Sequence, residues 1–570
     1  MSAPRAVRIV TDVAAVDRPF DYLVTGATSQ VGVGDRVRVD FNHRSVRGWV
    51  LDDAVVSGDL KPLTKWLGYG PPPSLLALLE WASERWCSPL SRFLISTTPK
   101  RLVTSLPAAP PKAPLDPSVL RGVEATEPGV LEMAPTTDPL GLVLAAYQAT
   151  RASEGSLLVL VPTEAWATRL RGRLEQRGCA VAAGDAQWDR MRSGWPVVVG
   201  SRGAALAPVP KVCGAVIIDA DDEAYRSERS PTWDAVTMLR ERCRRDVAPL
   251  WCTSSVPSPA LLNNEGFRHV GDVEGGWPRV TVSDRRHGDP HEGVLTNVAL
   301  DEAHRALAGD VEVAVVVVLQ RLGNGRLFAC RKCGELARCS VCGQGEEEVD
   351  GQLACRDRHE LRANFCRWCG ATNLRRVRVG VSTLARDVAI QLSQEVSEVT
   401  AASDPALALA RVVVGTEAVW QRVRRCGVVI FADFDQYLVA PRESARRSAV
   451  AAVGKAGRLV GSRREGRGVV VLQTRRGDDE VVRSLHDANF DEIIEEDVAT
   501  ARLLGLAPYG AQAEVSGEGA EEFVNELPSS HVTVHPTPSG FLVRALDAET
   551  LSAALRNARR PSAKLRVAVQ

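Results

Sequence analysis

The chain has 570 residues, of which 45% are hydrophobic and 25% charged; this is a globular composition, too long for a single core. Its 70 basic residues are balanced by 70 acidic ones, which excludes a uniformly basic protein that coats nucleic acid. No segment approaches the about 20 consecutive apolar residues of a membrane span, and the N-terminus has no secretion signal. We therefore expect a multidomain protein of the cytoplasm, where cysteines stay reduced.

The first unit is predicted over residues 1–104. Short β-rich runs, "AVRIVTDV", "FDYLVT", "DRVRVDF" and "VRGWVLDDAVV", are separated by Gly and Asp turns and indicate a small barrel or meander. The helical spacing of "PSLLALLEWASERW" follows, with a proline at its start. Residues 105–127 are rich in proline and are expected to be a linker.

Two α/β lobes are predicted next, over residues 128–283 and 284–497. Runs such as "SLLVLVPT" and "GAVIIDAD" in the first, and "VEVAVVVVLQ" and "RGVVVLQT" in the second, are nearly continuous apolar strands that alternate with helical stretches. This pattern is typical of parallel sheets that are covered on both faces. A small α+β unit over residues 498–570 follows the lobes.

A cluster of cysteines at 326–372 interrupts the second lobe, and its C-x2-C pairs have the spacing of metal ligands. Seven cysteines and one histidine supply the eight ligands that two tetrahedral Zn²⁺ ions require. His359 is either the eighth ligand or a plain surface residue. The candidate ligands are Cys330, Cys333, Cys339, Cys342, Cys355, His359, Cys366 and Cys369.

Several motifs resemble the PriA family of bacterial primosomal replication-restart proteins. They include "CRKCGELARCSVCG", "FCRWCGATNLRRVRVGVST", "RPFDYLV", "VGSRGAALAPV", "FADFDQYL" and "RLLGLAPYGAQAEV", and the resemblance extends over most of the chain. It implies an α/β multidomain fold: an N-terminal domain that binds DNA 3′ ends, two RecA-like helicase lobes with a zinc-binding insertion, and a C-terminal domain. It also implies one zinc on Cys330, Cys333, Cys366 and Cys369, and a second on Cys339, Cys342, Cys355 and a fourth ligand.

The resemblance further implies function and partners. Family members are ATP-driven superfamily 2 helicases of the nucleoid that bind abandoned forks and help to reload the replicative helicase. The implied partners are forked and single-stranded DNA, primosome and helicase-loading proteins, and single-stranded-DNA-binding protein. The family's 3′-nucleotide pocket corresponds to Phe20, Asp21 and Lys61, with Asn42 where the family has glycine. Arginines at 422, 424, 425, 442, 446, 447 and 458 are expected to line a groove for a DNA strand.

The nucleotide-binding loop of an ATP-driven motor is missing from this sequence. Such a loop needs amide donors and a lysine for phosphate, but the corresponding segment "LEMAPTTDPLGLVLAAY" has prolines and Asp138 instead. No lysine lies between Lys112 and Lys211. The chain therefore has no Walker A motif.

Two further motor motifs are altered. Where the family has Asp-Glu-x-His, this chain keeps Asp219 but has Ala220 and Asp222, and Lys455 replaces the first arginine of the motif that ends in Arg458. We interpret Asp219, Lys455 and Arg458 as a degenerate nucleotide site in a fork-recognising restart protein without its own ATP hydrolysis. The alternatives are an ATP-dependent 3′→5′ helicase with a non-standard nucleotide site, and a partner-binding scaffold without fork specificity.

Overall fold

The computed structural model describes residues 5–570 except 14–17, 57, 287–292, 321–327, 336, 342–344, 350, 356–358, 377–380 and 440–444. In the described residues, two large parallel sheets lie between antiparallel sheets at either end of the chain, and two small sheets surround the cysteines. This confirms the predicted α/β multidomain fold class. Among the helices of these residues, none combines the length and apolar character needed to cross a bilayer.

The N-terminal unit is a five-stranded antiparallel sheet in the order β2-β1-β4-β3-β5, followed by two helices. Asn42 and His43 join β3 to β4 with positive φ angles of 47° and 60°, the conformation of a two-residue type I′ hairpin turn. Valines of alternate strand positions bury one face of the sheet. The elements are β1 Arg5–Thr11, β2 Phe20–Val24, β3 Arg36–Phe41, β4 Arg44–Ala54, β5 Lys65–Gly68, α1 Pro73–Arg85 and α2 Leu90–Thr97.

Lobe 1 is a seven-stranded parallel sheet in the order β12-β6-β11-β10-β7-β9-β8. Both faces are buried, because Leu157 and Val159 of β7 enter one core cluster while Leu158 and Leu160 enter another. The elements are β6 Gly129–Met133, α3 Leu140–Thr150, β7 Ser156–Leu160, α4 Glu164–Gln176, β8 Val181–Ala182, α5 Trp188–Arg192, β9 Val197–Gly200, β10 Val212–Ile217, α6 Ala235–Asp246, β11 Leu250–Ser254, α7 Pro259–Leu262 and β12 Phe267–Val270.

Lobe 2 is a six-stranded parallel sheet in the order β13-β23-β22-β14-β21-β20. After β14 the chain leaves this sheet for the cysteine module, residues 328–376, and then returns through α9. The elements are β13 Arg279–Asp284, α8 Asn297–Leu307, β14 Val313–Val318, β15 Phe328–Cys330, β16 Glu346–Val349, β17 Gln352–Cys355, β18 Leu361–Ala363, β19 Leu374–Arg376, α9 Val381–Leu392, β20 Ser397–Val399, β21 Val412–Gly415, α10 Val419–Arg422, β22 Cys426–Phe431, α11 Asp435–Leu438, α12 Ala445–Val460, β23 Val469–Thr474 and α13 Glu480–Asp487.

The C-terminal unit is a four-stranded antiparallel sheet in the order β25-β26-β24-β27, with two helices. It packs against the N-terminal unit, because the Ser552 hydroxyl donates to the carbonyl of Arg85 at 3.0 Å and Arg560 donates to that of Cys87. The remaining elements are α14 Asp491–Leu504, β24 Ala511–Ser516, α15 Ala520–Asn525, β25 Val532–Thr537, β26 Gly540–Ala545, α16 Ala548–Asn557 and β27 Arg566–Val569.

The proline-rich residues 105–127 contain no helix or strand, yet they are fixed to lobe 1. Leu115 is buried in the core of that lobe. Tyr147 donates to the carbonyl of Ala113 at 2.9 Å, and Trp251 donates to that of Thr126 at 2.8 Å. The segment expected to be a linker therefore lies along the outside of lobe 1.

The loop after β9 is held by one buried guanidinium. Arg242 is 4% exposed and donates to the carbonyls of Ala205, Ala207 and Val209 at 2.8–3.0 Å. Burial lowers its pKa to about 10.

We expect Arg242→Met to lower the free energy of unfolding of lobe 1 by about 3 kcal/mol, because it leaves three buried carbonyls unsatisfied. Arg244→Met on the same helix is the control, since Arg244 is 72% exposed and pairs with Glu241 at the surface, so we expect no measurable change. Urea unfolding monitored by tryptophan fluorescence measures both. Equal losses in the two variants would contradict the assigned role of Arg242.

Candidate metal centre and nucleic-acid interface

Four cysteines from two separate turns meet at one end of the cysteine module. The ligand atoms of Cys330, Cys333, Cys366 and Cys369 all lie within 4.8 Å of one another, with Sγ–Sγ distances of 3.5 Å for the pairs 330–369 and 333–366. Pairing of β15 with β19 brings the two turns together. In a tetrahedral site with Zn–S bonds of about 2.3 Å, sulfurs lie about 3.8 Å apart. The four thiols therefore fit a structural zinc ion.

The charges in this set also call for a cation. An amide hydrogen bond from Ala371 lowers the pKa of Cys369 to about 7, whereas burial and the neighbouring sulfurs raise that of Cys333 to about 12. Four thiolates this close repel one another, and a divalent ion removes the repulsion. Gly334 and Gly370 follow the two turns with φ angles of 76° and 71°, a conformation that suits glycine.

A second set contains Cys339, Cys355 and His359, whose ligand atoms also lie within 4.8 Å of one another. His359 Nδ1 is 3.6 Å from Cys355 Sγ. The structure thus places His359 beside two candidate ligands, which favours a ligand over a plain surface residue. Cys342, the other candidate ligand of this set, lies outside the described residues.

One carboxylate connects the two sets. Glu360 accepts from the amide of Ser340 at 2.8 Å and pairs with Arg367 at 2.6 Å. Ser340 follows Cys339, and Arg367 follows Cys366. The Ser340 amide and Arg367 together lower the pKa of Glu360 to about 2. The carboxylate therefore stays ionised and fixes the spacing of the two sites.

The cysteine module also has a basic cavity of about 260 Å³ next to an exposed aromatic ring. Trp368 is 81% exposed at its rim. Arg362 makes three hydrogen bonds to the fully buried Glu346. The other charged residues of the cavity wall are Arg338, Arg367, which pairs with Glu360, and Glu335. This face can contact a base or a partner side chain and an anionic group.

At the interface of the two lobes, Arg458 occupies the cleft itself. Its guanidinium forms an ion pair with Asp219, and its Nε donates to the carbonyl of Pro135 at 3.0 Å. The guanidinium carbon also lies 4.8 Å from the ring centre of Trp166. Three contacts from lobe 1 therefore surround one side chain of lobe 2.

Other residues of α12 close the same interface. Lys455 pairs with Asp222 at 2.9 Å, and the Ser448 hydroxyl lies 3.3 Å from a carboxylate oxygen of Glu223. Gly454 permits the close approach, because a Cβ atom there would lie 3.3 Å from Pro135 of lobe 1. Asp219, Lys455 and Arg458, which were predicted to form the degenerate nucleotide site, thus lie together. Their charged groups are engaged in ion pairs between the two lobes.

The loop that corresponds to a phosphate cradle is filled by its own carboxylate. Asp138 accepts from the amide of Leu140 at the start of α3 and pairs with Arg173. Burial opposes ionisation of Asp138, but Arg173 and the amide outweigh it and lower its pKa. A negative charge therefore already occupies the helix N-terminus where a phosphate would need to lie.

The carboxylates of the interface differ in their electrostatics. Burial raises the pKa of Asp219, although Arg458 opposes this effect. At Asp222, Lys455 and the amide of Ala224 outweigh burial and lower the pKa. The Lys455–Asp222 pair therefore persists to lower pH than the pair of Arg458 with Asp219.

Of the three residues predicted for a DNA 3′ end, Phe20 and Asp21 begin β2, and Lys61 lies in the loop before β5. Phe20 packs edge-on against Phe41 at 5.0 Å, and Asp21 pairs with Arg8 at 3.1 Å. Lys61 is exposed and lies 3.5 Å from Asp40. Because Asp40 and Phe41 are adjacent in β3, they bring Lys61 and Phe20 to the same end of the sheet but to opposite faces of it.

Sequence reasoning missed several neighbours of these sites. Asp40 and Phe41 were not singled out, although "RVDF" precedes a hairpin turn and its last residues flank that turn. Trp166 was also missed, and nothing local in the sequence connects it to Arg458.

Most of the arginines predicted to line a strand groove are engaged inside the protein. Arg422 donates to the carbonyls of Ala401 and Ser403. Arg446 pairs with Glu480 and Glu496, Arg447 with Asp497, and Arg458 with Asp219; Arg442 lies outside the described residues. The acidic partners of Arg446 and Arg447 lie within 480–497, at the end of lobe 2, while Arg424 and Arg425 are exposed; the strand groove stays a prediction.

Comparison with known proteins identifies the N-terminal unit. Residues 8–99 match the family model of the 3′DNA-binding domain (3′BD) of PriA. The chain is 31% identical over 155 residues to "Replication restart protein PriA" of Treponema pallidum, covering 26% of this chain and 22% of that protein. It is 22% identical over 429 residues to the protein of that name from Thermotoga maritima, covering 66% of this chain and 55% of the relative.

Solved structures with a related outline include RecG bound to a three-way DNA junction, with a TM-score of 0.36 and 11% identity over 74% of this chain and 51% of that one. Another is the Mycobacterium smegmatis helicase Lhr bound to single-stranded DNA and AMP-PNP, with a TM-score of 0.34 and 13% identity over 78% of this chain and 60% of that one.

Removing the guanidinium from the cleft should loosen the loop that it holds. We expect Arg458→Met to speed amide exchange in peptides covering residues 131–147 by about tenfold, because a partly buried ion pair and a carbonyl contact are lost. Hydrogen exchange with mass spectrometry measures this. Arg483→Met, an exposed arginine of the same lobe, is the control. Unchanged exchange in the Arg458 variant would contradict the assigned contact.

Proposed function

We propose that this divergent relative of the PriA replication restart proteins recognises stalled or branched replication forks and helps to reload the replicative helicase, without hydrolysing ATP itself. The similarity to replication restart proteins and the 3′DNA-binding match over residues 8–99 support a role on DNA. The matched stretches span 22% and 55% of the length of the two relatives.

The lobe interface is the observation that carries the proposal. An ATP-driven motor must open and close its cleft around a nucleotide, and its catalytic arginine must be free to reach the γ-phosphate. Here Arg458 is held by Asp219 and Pro135, while Asp138 places a carboxylate at the start of α3. These contacts favour a static scaffold over a motor.

For the 3′ end, Phe20 would pack against the terminal base and Lys61 would approach the last phosphodiester. Asp21 would accept from the 3′-hydroxyl while it remains paired with Arg8. Lys61 exchanges Asp40 for the phosphate at little cost, because both members of that pair are about half exposed. An unblocked strand end would therefore bind at the end of the sheet where Phe20 and Lys61 lie, without rearrangement of the sheet.

Two zinc ions would hold the cysteine module, one on Cys330, Cys333, Cys366 and Cys369 and the other on Cys339, Cys342, Cys355 and His359. Zinc supplies cross-links to a module with little apolar core of its own. The exposed Trp368 and the arginines of its cavity support a contact surface for single-stranded DNA or for a primosome, helicase-loading or single-stranded-DNA-binding protein. If that surface were the main site, the chain would be a partner-binding scaffold without fork specificity.

We expect the protein to contain two zinc ions per chain, measured by elemental mass spectrometry after exhaustive dialysis. Cys366→Ala and Cys355→Ala should each retain about one, because they remove ligands from different sets. Cys252→Ala, a buried cysteine of lobe 1, should retain two. One ion or none in the parent protein would contradict the two-site assignment.

The experiment that tests the function compares two forks that differ only in a free or phosphate-blocked leading-strand 3′-hydroxyl. At ~150 mM salt, we expect about tenfold tighter binding to the free end, because a phosphate in the pocket would oppose Asp21. Lys61→Gln should weaken binding, while Lys100→Gln, an exposed lysine of the same unit, should not. Equal binding of both forks would contradict fork recognition through this pocket.

A second arm of that experiment adds ATP. Fork affinity should be unchanged by millimolar ATP, and forks should not stimulate phosphate release. Fork-stimulated hydrolysis would instead support an ATP-dependent helicase with a non-standard nucleotide site.

A further inference from the structure

Three basic residues stand side by side across the N-terminal sheet. In the strand register, Arg38 of β3 lies directly opposite Arg47 of β4 and opposite Lys65 of β5. Residues directly opposite in antiparallel strands point to the same face, with Cβ atoms about 5 Å apart. Arg47, Arg38 and Lys65 therefore form one row, the basic row, that spans about 10 Å across three strands.

The basic row is exposed and uncompensated. All three residues are solvent-exposed. Within the described residues, none of them has an acidic partner within ion-pair distance, whereas Arg5 and Arg8 of the same sheet pair with Asp53 and Asp21. Like charges directly opposite in a sheet destabilise it. The like charges of the basic row therefore lower the stability of the sheet, and no ion pair among the described residues offsets this loss.

The basic row begins about 7 Å from the end of the sheet where Lys61 contacts Asp40. Arg38 and Asp40 lie on the same face of β3, two residues or about 7 Å apart, and Asp40 contacts Lys61. A strand whose 3′ end lies at that end of the sheet would thus continue over the row. Among the described residues of this unit, the exposed large apolar side chains are Val55, Val56, Ile95 and Leu102, none of them aromatic. A row of cations without stacking rings suits a phosphate backbone more than unpaired bases.

We infer that the basic row binds the phosphate backbone of the duplex arm behind the 3′ end. Duplex DNA presents one charge per about 1.7 Å of axis, so about six phosphates lie within the span of the row and two or three can be contacted. This inference rests on the proposed function, because the ligand is the fork arm. It assigns overall affinity for DNA to the basic row and discrimination of the 3′ end to Phe20, Asp21 and Lys61.

Arg38→Gln tests the row, because Arg38 is its centre. We expect the slope of log affinity against log salt to fall by about one, and affinity for a fork with a duplex arm to fall about fivefold at ~0.15 M salt. The unfolding midpoint should stay equal or rise, because a like-charge contact is relieved. If Arg38 only stabilised the fold, Arg38→Gln would instead lower the unfolding midpoint and leave the salt slope unchanged.

Arg5→Gln is the matched control on the same sheet. Arg5 is paired with Asp53 and donates to the carbonyl of Val31 at 2.8 Å, so its loss should lower the midpoint and leave the salt slope unchanged. An unchanged slope in Arg38→Gln would overturn the inference. So would an equal loss of affinity for a single strand of the same length, because that would place the contact outside the duplex.

The two proposals fail separately in this design. The ratio of affinities for free and blocked 3′ ends should be the same in Arg38→Gln as in the parent. A parent protein without that ratio, but with a salt slope that depends on Arg38, would contradict the 3′-end pocket and support the row. A ratio abolished by Arg38→Gln would assign the row to the pocket and overturn the division of roles.

Discussion

The pair of Arg458 with Asp219 is the interaction on which the arrangement of the lobes depends. It places a cation of lobe 2 against the end of β10, and the Pro135 carbonyl and the Trp166 ring complete its surroundings. Lys455 and Asp222 repeat the pattern one turn earlier on α12. Because both pairs are partly buried, removing one partner would leave an uncompensated charge. Two ion pairs thus join the lobes at the interface that contains the predicted degenerate nucleotide site.

The cysteine module, like the lobe interface, depends on polar contacts between residues far apart in the chain. Its strands are three or four residues long and its apolar core is Phe328, Ala337 and Leu353, too little to define one conformation. Its other contacts are polar: the two candidate ligand sets lie within the module, Arg362 pairs with the buried Glu346, and Glu360 connects the sets. Specific polar contacts take over where apolar burial is insufficient.

The sequence predicted the parallel lobes well, because strands such as "SLLVL" and "VAVVVV" are apolar at every position and admit few alternatives. The grouping of the cysteines was also predictable from C-x2-C spacing, since Cys330, Cys333, Cys366 and Cys369 lie together in the structure. What could not be read was pairing between distant residues. Arg458 and Asp219 are 239 positions apart, and only the docking of two lobes brings them together. The arginines of α12 pair with acidic residues of α13 and α14, which the charge pattern of α12 alone did not reveal.

The contact between α16 and α1 has a consequence for synthesis of the chain. The carbonyls of Arg85 and Cys87 accept from Ser552 and Arg560, which are translated more than 460 residues later. At about 5–20 residues per second, that interval is roughly 25–90 s, and domains fold from the N-terminus as they emerge. The surface of α1 is therefore exposed on the ribosome for most of translation. Synthesis of α16, rather than folding of the first unit, sets the moment at which that surface is covered.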